Sequence, residues 1–363
     1  MTVGIGLIGA GVISDTYLDN LTTFPDVRVL AIADLDTVRA AAQAATYGVP
    51  RSGDVAGLLA DPQVEVVVNL TVPAVHVDVG LAALAAGKHV WAEKPLALDR
   101  PSARKLLDWA RERGLRVASA PDTALGAAFQ TVRRVVEAGR IGEPRTALAL
   151  CQSPGPESWH PAPEFLFRPG GGPLLDMGPY YLTDLVLLFG AVDRVTATGG
   201  RYRASRVIGA GSRAGTAFPV TVATTVTALI EFAGGGSAQL VLSFDSALPR
   251  TVLEVTGTLG TAVLPDPNRF DGSTRLHVLG RPEPEDLPAQ GHSAQRGTGV
   301  LELARAIRAG TPERASGELA YHVLDVMLAI EESIADRQTV SVASTVQIPP
   351  ALPAGWDPYA RTL

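Results

Sequence analysis

Three short stretches of this sequence hold residue types whose spacing could do chemistry. The first is Gly9-Ala10-Gly11, followed by Val12, Ile13 and Ser14. It comes straight after the apolar run Val3 to Ile8 and opens a helix-like segment, the context in which a glycine turn cradles a pyrophosphate. Gly9 permits the tight turn and Gly11 lets the backbone approach the phosphates. The helix N-terminus adds free N–H groups and the positive end of its dipole. Ser14 stands where Gly or Ala is usual and is small enough for close helix–strand packing. Asp34 lies 25 residues after Gly9, at the end of the next apolar run, where an acid would accept the adenosine ribose hydroxyls. Leu35 follows it, so no adjacent arginine awaits a 2′-phosphate. NAD is expected over NADP, with Arg39 and Arg51 near enough in sequence to keep NADP open.

The second stretch runs from Gly87 through His89-Val90-Trp91-Ala92 to Glu93-Lys94-Pro95. It leads from a helix stop, along a strand, to a lysine at the strand's carboxyl end, the edge that faces the ligand crevice of an open parallel sheet. Pro95 keeps Lys94 out of helical geometry and makes a cis bond accessible. The chain has only three lysines, Lys88, Lys94 and Lys105, and lysine, unlike arginine, can be tuned for proton transfer. The third stretch is Gly170-Gly171-Gly172-Pro173-Leu174-Leu175-Asp176-Met177-Gly178-Pro179-Tyr180. Asp176 and Tyr180 are four apart, which on one helix gives a shared face. Pro179 favours a helix start near Gly178 instead, which leaves the shared face open. Of Tyr180 and its neighbour Tyr181, one is expected to be a core aromatic.

The elements that must hold these residues alternate in the first third of the chain. Short apolar runs at Val27 to Ala33, Val64 to Leu70, His89 to Ala92 and Arg116 to Ala120 are separated by helical segments, so a doubly wound Rossmann domain is expected over residues 1–121. From 122 to 345 strands dominate, with Gly234-Gly235-Gly236 marking a hairpin. This predicts an α+β domain on a large, mostly antiparallel open sheet, closed by helices Val300 to Arg308 and Glu318 to Asp336, with a tail over 346–363. Gly199 to Gly215, with Arg201, Arg203, Arg206 and Arg213, and Arg281 to Gly299 are expected to be turn-rich and mobile, the arginines forming a basic loop that is solvated, with an oligomer contact or a site lid as alternatives.

Composition bounds the rest. Apolar residues make up 46% and charged residues 19%, with a net charge of −6, which suits a globular core and argues against nucleic-acid or anionic-membrane partners. A single cysteine, Cys151, excludes an internal disulfide, and the six histidines show no metal-ligand spacing, so no metal is expected. The charge-free stretch Ala214 to Ile230 alternates like a strand and is not read as a membrane span. A cytoplasmic location is expected. Among weaker candidates, Trp159, His160, Phe167 and Arg168 lie in the loop Ser153 to Pro173, either as ligand contacts or as a plain structural loop. Asp122 and Thr123 could touch cofactor or substrate, and His322 is expected to be a buried, hydrogen-bonded histidine.

Taken together, the three stretches and Thr71-Val72-Pro73 with His76 resemble the Gfo/Idh/MocA oxidoreductases over nearly the whole chain. The resemblance implies that Gly9, Gly11, Val12, Ile13, Asp34, Leu35, Thr71, Pro73, His76, Glu93 and Lys94 bind the dinucleotide. It implies that Lys94, Asp176 and Tyr180 are catalytic. Substrate contacts would come from these three with Trp159, His160 and Arg168. Tyr180 stands where inositol-dehydrogenase-like members have histidine. A tyrosine titrates near pH 10, and a nearby lysine ammonium would favour its phenolate, so Lys94 and Tyr180 are expected to act as a pair. The reaction implied is hydride exchange between NAD and a secondary alcohol of a sugar, cyclitol or polyol, in a homodimer or homotetramer. A metabolite sensor without catalysis, or a redox-neutral enzyme that cleaves or eliminates glycosides, are the alternatives.

Overall fold

The computed structural model describes every residue except Ser293. The chain forms two compact units, Met1–Gln130 with Gln290–Tyr321 and Pro349–Leu363, and Thr131–Ala289 with His322–Ile348.

In the first unit six strands form an all-parallel sheet: β1 (Val3–Ile8), β2 (Val27–Ala33), β3 (Arg51–Gly53), β4 (Val66–Asn69), β5 (His89–Ala92) and β6 (Val117–Ser119). Their order is β3-β2-β1-β4-β5-β6. The winding reverses between β1 and β4, the switch point at which such sheets bind ligands beyond their carboxyl ends. Helices α1 (Val12–Leu21), α2 (Thr37–Tyr47), α3 (Val55–Ala60), α4 (His76–Ala85) and α5 (Arg100–Glu112) make the connections. Every residue of β1 is buried, as expected for a central strand covered on both faces. Asp36, Asp54 and Asp99 cap α2, α3 and α5 by accepting backbone N–H groups of their first turns.

One helix departs from the sequence expectation. The segment expected to close the second domain, α8 (Thr298–Ala309), packs Val300, Leu301, Leu303 and Ala304 into the core of the first unit beside Val3, Leu18 and Leu21. The residues read as a tail also join it, with Leu352 in that core and Trp356 and Leu363 against it. Apolar burial decides membership, and it need not follow chain order.

The second unit is built on nine strands: β7 (Pro144–Gln152), β8 (Val192–Gly200), β11 (Thr225–Phe232), β12 (Ser237–Ser243), β13 (Arg250–Gly257), β14 (Gly260–Val263), β15 (Ser273–Val278), β16 (Glu285–Pro288) and β17 (Val340–Ser341). Their order is β16-β15-β14-β13-β7-β12-β11-β8-β17. Only β7 and β12 run parallel; the other pairs are antiparallel. Along β11, buried Val226, Ala228 and Ile230 alternate with exposed Thr227 and Leu229, the pattern of a sheet with one covered face. A separate hairpin pairs β9 (Ser205–Val207) with β10 (Ala217–Pro219). The helices are α6 (Ala127–Glu137), which spans the division between units, α7 (Gly172–Phe189) and α9 (Gly317–Asp336).

One further expectation is corrected here. The stretches read as turn-rich are so apart from the short strands β9 and β16, and Arg201, Arg203 and Arg213 are exposed as expected, but Arg206 of β9 is buried rather than solvated. The alternative left open for the start of α7 is also resolved: the helix starts at Gly172, not near Gly178, and continues through Pro179. An interior proline costs about 3 kcal/mol. Burying Leu174, Leu175, Leu182, Leu185 and Val186 returns roughly 1.5–3 kcal/mol each, so packing wins. No described helix is long and apolar enough to cross a membrane.

Candidate active site

The turn after β1 has the geometry that a dinucleotide requires. Gly9 has φ +103°, and a Cβ there would lie 2.7 Å from the Leu70 carbonyl oxygen, so both conformation and space demand glycine. A Cβ at Gly11 would meet nothing within 4 Å. The space above Gly11 is open, and α1 begins there with no side chain capping its N–H groups. That arrangement fits a pyrophosphate. Ser14 is buried, donates to Gly11 O at 2.6 Å and accepts from Gln43. The serine thereby closes the turn that a third glycine would otherwise tighten.

Asp34, just after β2, braces this turn. Its Oδ2 accepts the Ala10 N–H at 2.7 Å, and its Oδ1 accepts from Asp36 N at 2.9 Å and Arg39 Nη2 at 2.7 Å. Burial pushes the carboxyl pKa up, but these hydrogen bonds and the Arg39 charge outweigh it and hold the group below its usual range. An ionised acceptor therefore stands at the end of β2, as ribose binding needs. Around it, Val12 is 89% exposed, Leu35 99% exposed, and Val72 exposed as well. They sit in or beside the loops following β1, β2 and β4. Large aliphatics left in solvent at the carboxyl edge of the sheet suit the flat bases of a dinucleotide.

The Glu93-Lys94-Pro95 turn is braced from two directions. Tyr17 of α1 donates to Glu93 Oε1 at 2.7 Å, and Trp91 Nε1 donates to Tyr17 Oη at 3.1 Å. Burial, with the Glu93 and Asp122 charges, raises the Tyr17 pKa well above its ordinary value, so the phenol stays a donor. Glu93 Oε2 accepts the Lys94 backbone N–H at 3.0 Å, and the Lys94–Pro95 peptide is cis. From the other side, His76 is buried with Nδ1 2.8 Å from Pro95 O and Nε2 2.9 Å from Thr71 O. Asn69, at the end of β4, donates to His76 O and accepts from the Thr71 hydroxyl at 2.6 Å. His76 and Asn69 thus tie the Thr71-Val72-Pro73 turn to the turn that carries Lys94.

Sequence reasoning missed Tyr17, Trp91 and Asn69. Asn69 left a signal, since a buried amide ends the otherwise apolar run Val66-Val67-Val68. Tyr17 and Trp91 left none, because they read as ordinary core positions. Asp122 is buried rather than open to a ligand: its Oδ2 accepts from Gly297 N at 2.8 Å and Gly299 N at 3.1 Å, capping α8 from outside. Burial pushes its pKa up to about 6, against these two hydrogen bonds.

In the second unit, Asp176 and Tyr180 lie on the same continuous helix α7, one turn apart, Asp176 half-buried and Tyr180 buried. Both tyrosines, Tyr180 and Tyr181, are buried, at 6% and 0% exposure, and Tyr181 is the deeper of the two. It is wholly buried with its hydroxyl between Cys151 and Thr251, and burial and the Cys151 and Asp266 charges push its pKa far up. One turn beyond Tyr180, Asp184 is buried near Asp266, and burial raises its pKa well above the carboxylate range despite Arg133. Trp159 and Arg168 are exposed and His160 half-buried, on the segment before α7. His322 is buried as expected, accepting from Val192 N at 2.9 Å and lying 2.8 Å from Ser344 Oγ. The expected catalytic residues therefore come from both units, Lys94 from the first and Asp176 and Tyr180 from the second.

Residues 3–120 match the model of an oxidoreductase family with an NAD-binding Rossmann fold, and residues 129–263 match the GFO/IDH/MocA C-terminal domain. Among known proteins, the trans-1,2-dihydrobenzene-1,2-diol dehydrogenase of Sus scrofa is 30% identical over 321 residues, covering 85% of this chain and 88% of that protein. The enzyme of the same name from Oryctolagus cuniculus is 31% identical, covering 72% and 75%. Among solved structures, an NAD binding oxidoreductase from Klebsiella pneumoniae superposes with a TM-score of 0.84 at 25% identity, over 95% of this chain and all of that one. A levoglucosan dehydrogenase in complex with NADH shares the fold with the same TM-score at 21% identity, again over 95% and 100%.

Proposed function

This chain belongs to the GFO/IDH/MocA family, whose members are oxidoreductases with an NAD-binding Rossmann fold, and from that premise we propose that it interconverts a secondary alcohol and a ketone on a sugar, cyclitol or related polyol. The substrate class draws support from the diol named for its relatives and the anhydrosugar named for a protein of the same fold. Gly9, Gly11, Val12 and Ile13 would hold the pyrophosphate at the head of α1, Asp34 and Leu35 the adenosine end, and Thr71, Pro73, His76 and Glu93 the turns that border the nicotinamide. When bound, NAD supplies the hydride acceptor.

In the oxidative direction Tyr180 as its phenolate takes the hydroxyl proton and becomes the phenol, and the Lys94 ammonium offsets the charge that develops on the alkoxide oxygen. Asp176 orients the substrate hydroxyl or the lysine. Trp159, His160 and Arg168 contact the rest of the ring. The observation that carries this reading is the bracing of Lys94: Tyr17, Glu93, His76 and Asn69 all fix the turn that presents it. A surface lysine would need no such support.

The test is NADH and NADPH formation by the purified protein across a panel of aldoses, inositols, levoglucosan and trans-dihydrodiols. Turnover on a ring polyol with NAD supports the proposal. No turnover by any member in either direction, with NADH still bound, contradicts it and favours a redox-neutral enzyme or a sensor.

A further inference from the structure

Arg206 is 3% exposed although it comes from an arginine-rich loop. Its guanidinium pairs with both Glu157 and Asp245, the latter at 2.5 Å. It also donates to Pro154 O at 2.9 Å and Phe244 O at 2.7 Å, and lies 5.1 Å from the centroid of the Phe167 ring. Three structures meet there: the β9–β10 hairpin, the end of β12, and the segment 153–168 that precedes α7. Gly155 makes the closure possible, since a side chain at its φ of +121° would collide with Glu157 and Arg206. Beneath the ion cluster, Leu166, Phe167, Ile208, Phe218, Val220 and Phe244 form a small core that Met177, next to Asp176, joins.

As a source of stability this arrangement is poor. Two buried atoms, Arg206 Nε and Glu157 Oε2, have no hydrogen-bond partner, and buried ion clusters are often matched or bettered by apolar replacements. What it supplies is a single geometry, because a forked guanidinium fixes two carboxylates and two carbonyls at once. The segment held in this way carries a row of aromatics open to solvent. Trp159 is 67% exposed and meets His160 edge-on at 5.5 Å, and His160 meets Phe165, 55% exposed, at 5.5 Å. Large aromatics that are ordered against each other yet left in water are suited to receive an apolar face.

We infer that Arg206 is a positioning residue for substrate: it clamps Glu157 and Asp245 so that Trp159, His160 and Phe165 stand as a fixed wall against the apolar face of the substrate ring. The inference rests on the proposed reading of this chain as a ring-polyol oxidoreductase. It also explains how a segment rich in proline and glycine can present a binding surface of defined shape.

The test compares Arg206→Met, Arg206→Lys and Trp159→Ala with the wild type. Hydrogen exchange of segment 153–168 is measured on each, together with NADH affinity and with kcat and KM for the fastest-turning member of the sugar and inositol panel. Expected is at least tenfold faster exchange confined to 153–168 and neighbouring β9 in Arg206→Met. KM should rise at least tenfold in that variant and in Trp159→Ala, with kcat and NADH affinity within about threefold. Arg206→Lys, which keeps the charge but not the fork, should fall between. Unchanged exchange in 153–168, loosening of the whole second unit, or faster local exchange with KM unmoved would each overturn the inference. Absence of any wild-type turnover contradicts the proposed function instead, and the exchange data then judge the clamp alone.

Discussion

Tyr17 donates its hydroxyl to Glu93 at 2.7 Å, so the helix that follows the glycine turn also holds the residue before Lys94. The glycine turn and the placement of Lys94 thus share one element, and Trp91 completes the link from inside the sheet. The relationship is specific to the phenol oxygen, which both donates and accepts. Phenylalanine would fill the same space and do neither.

Tyr17→Phe therefore leaves the buried Trp91 N–H without its acceptor and removes one donor from Glu93. Each buried group left unsatisfied costs about 1–3 kcal/mol. The expected outcome is a loss of that order in urea unfolding, with kcat reduced and NADH affinity nearly kept, because the backbone of α1 is untouched. Equal stability and equal kcat would show that the link is dispensable.

Cofactor choice should turn on Asp34. With its carboxylate held ionised by Arg39, Ala10 and Asp36, NAD should show the higher kcat/KM, because a 2′-phosphate would face a negative charge. Asp34→Ala should raise KM for NAD at least tenfold and narrow the preference over NADP, since Arg39 is then released to meet a phosphate. Steady-state kinetics with both cofactors decide it.

Asp122 predicts a pH signature in stability. Its folded pKa is about 6 against an ordinary 3.8, so between these values the folded state binds the extra proton. Its contribution is fully present below pH 3.8 and is lost as pH rises through 6. Asp122→Asn removes this titration. The stability of the variant minus that of the wild type should grow by up to roughly 3 kcal/mol from pH 4 to pH 8, read by urea unfolding at each pH. A difference independent of pH would contradict the assignment.

Much of the first unit was legible because its signals are local. Glycine turn, apolar strand and acid at the next strand end are all fixed by one crossover, and the structure has Gly9 and Gly11 in the turn after β1 and Asp34 just after β2. Long-range packing was not legible. Nothing near α8 in sequence says that Leu301 and Leu303 belong beside Val3, roughly 300 residues away. Arg206 looked like its solvated neighbours because the partners that bury it, Glu157 and Asp245, lie 49 and 39 positions distant. Pro179 was read as a boundary because propensity is a local property, whereas α7 is held by its buried leucines. Of the candidate site, the residue types could be read in advance, but the bracing by Tyr17, His76 and Asn69 could not, since each acts across different elements.

The central claim is that Lys94, by offsetting the alkoxide charge beside Tyr180, contributes far more to turnover than to cofactor affinity. The most direct measurement is kcat of Lys94→Ala on the best panel substrate, alongside NADH affinity by fluorescence titration. General acid–base help is worth on the order of 10² to 10⁴ in rate, so kcat should fall by that factor while the dissociation constant for NADH changes only a few-fold. Near wild-type turnover in Lys94→Ala would contradict the account.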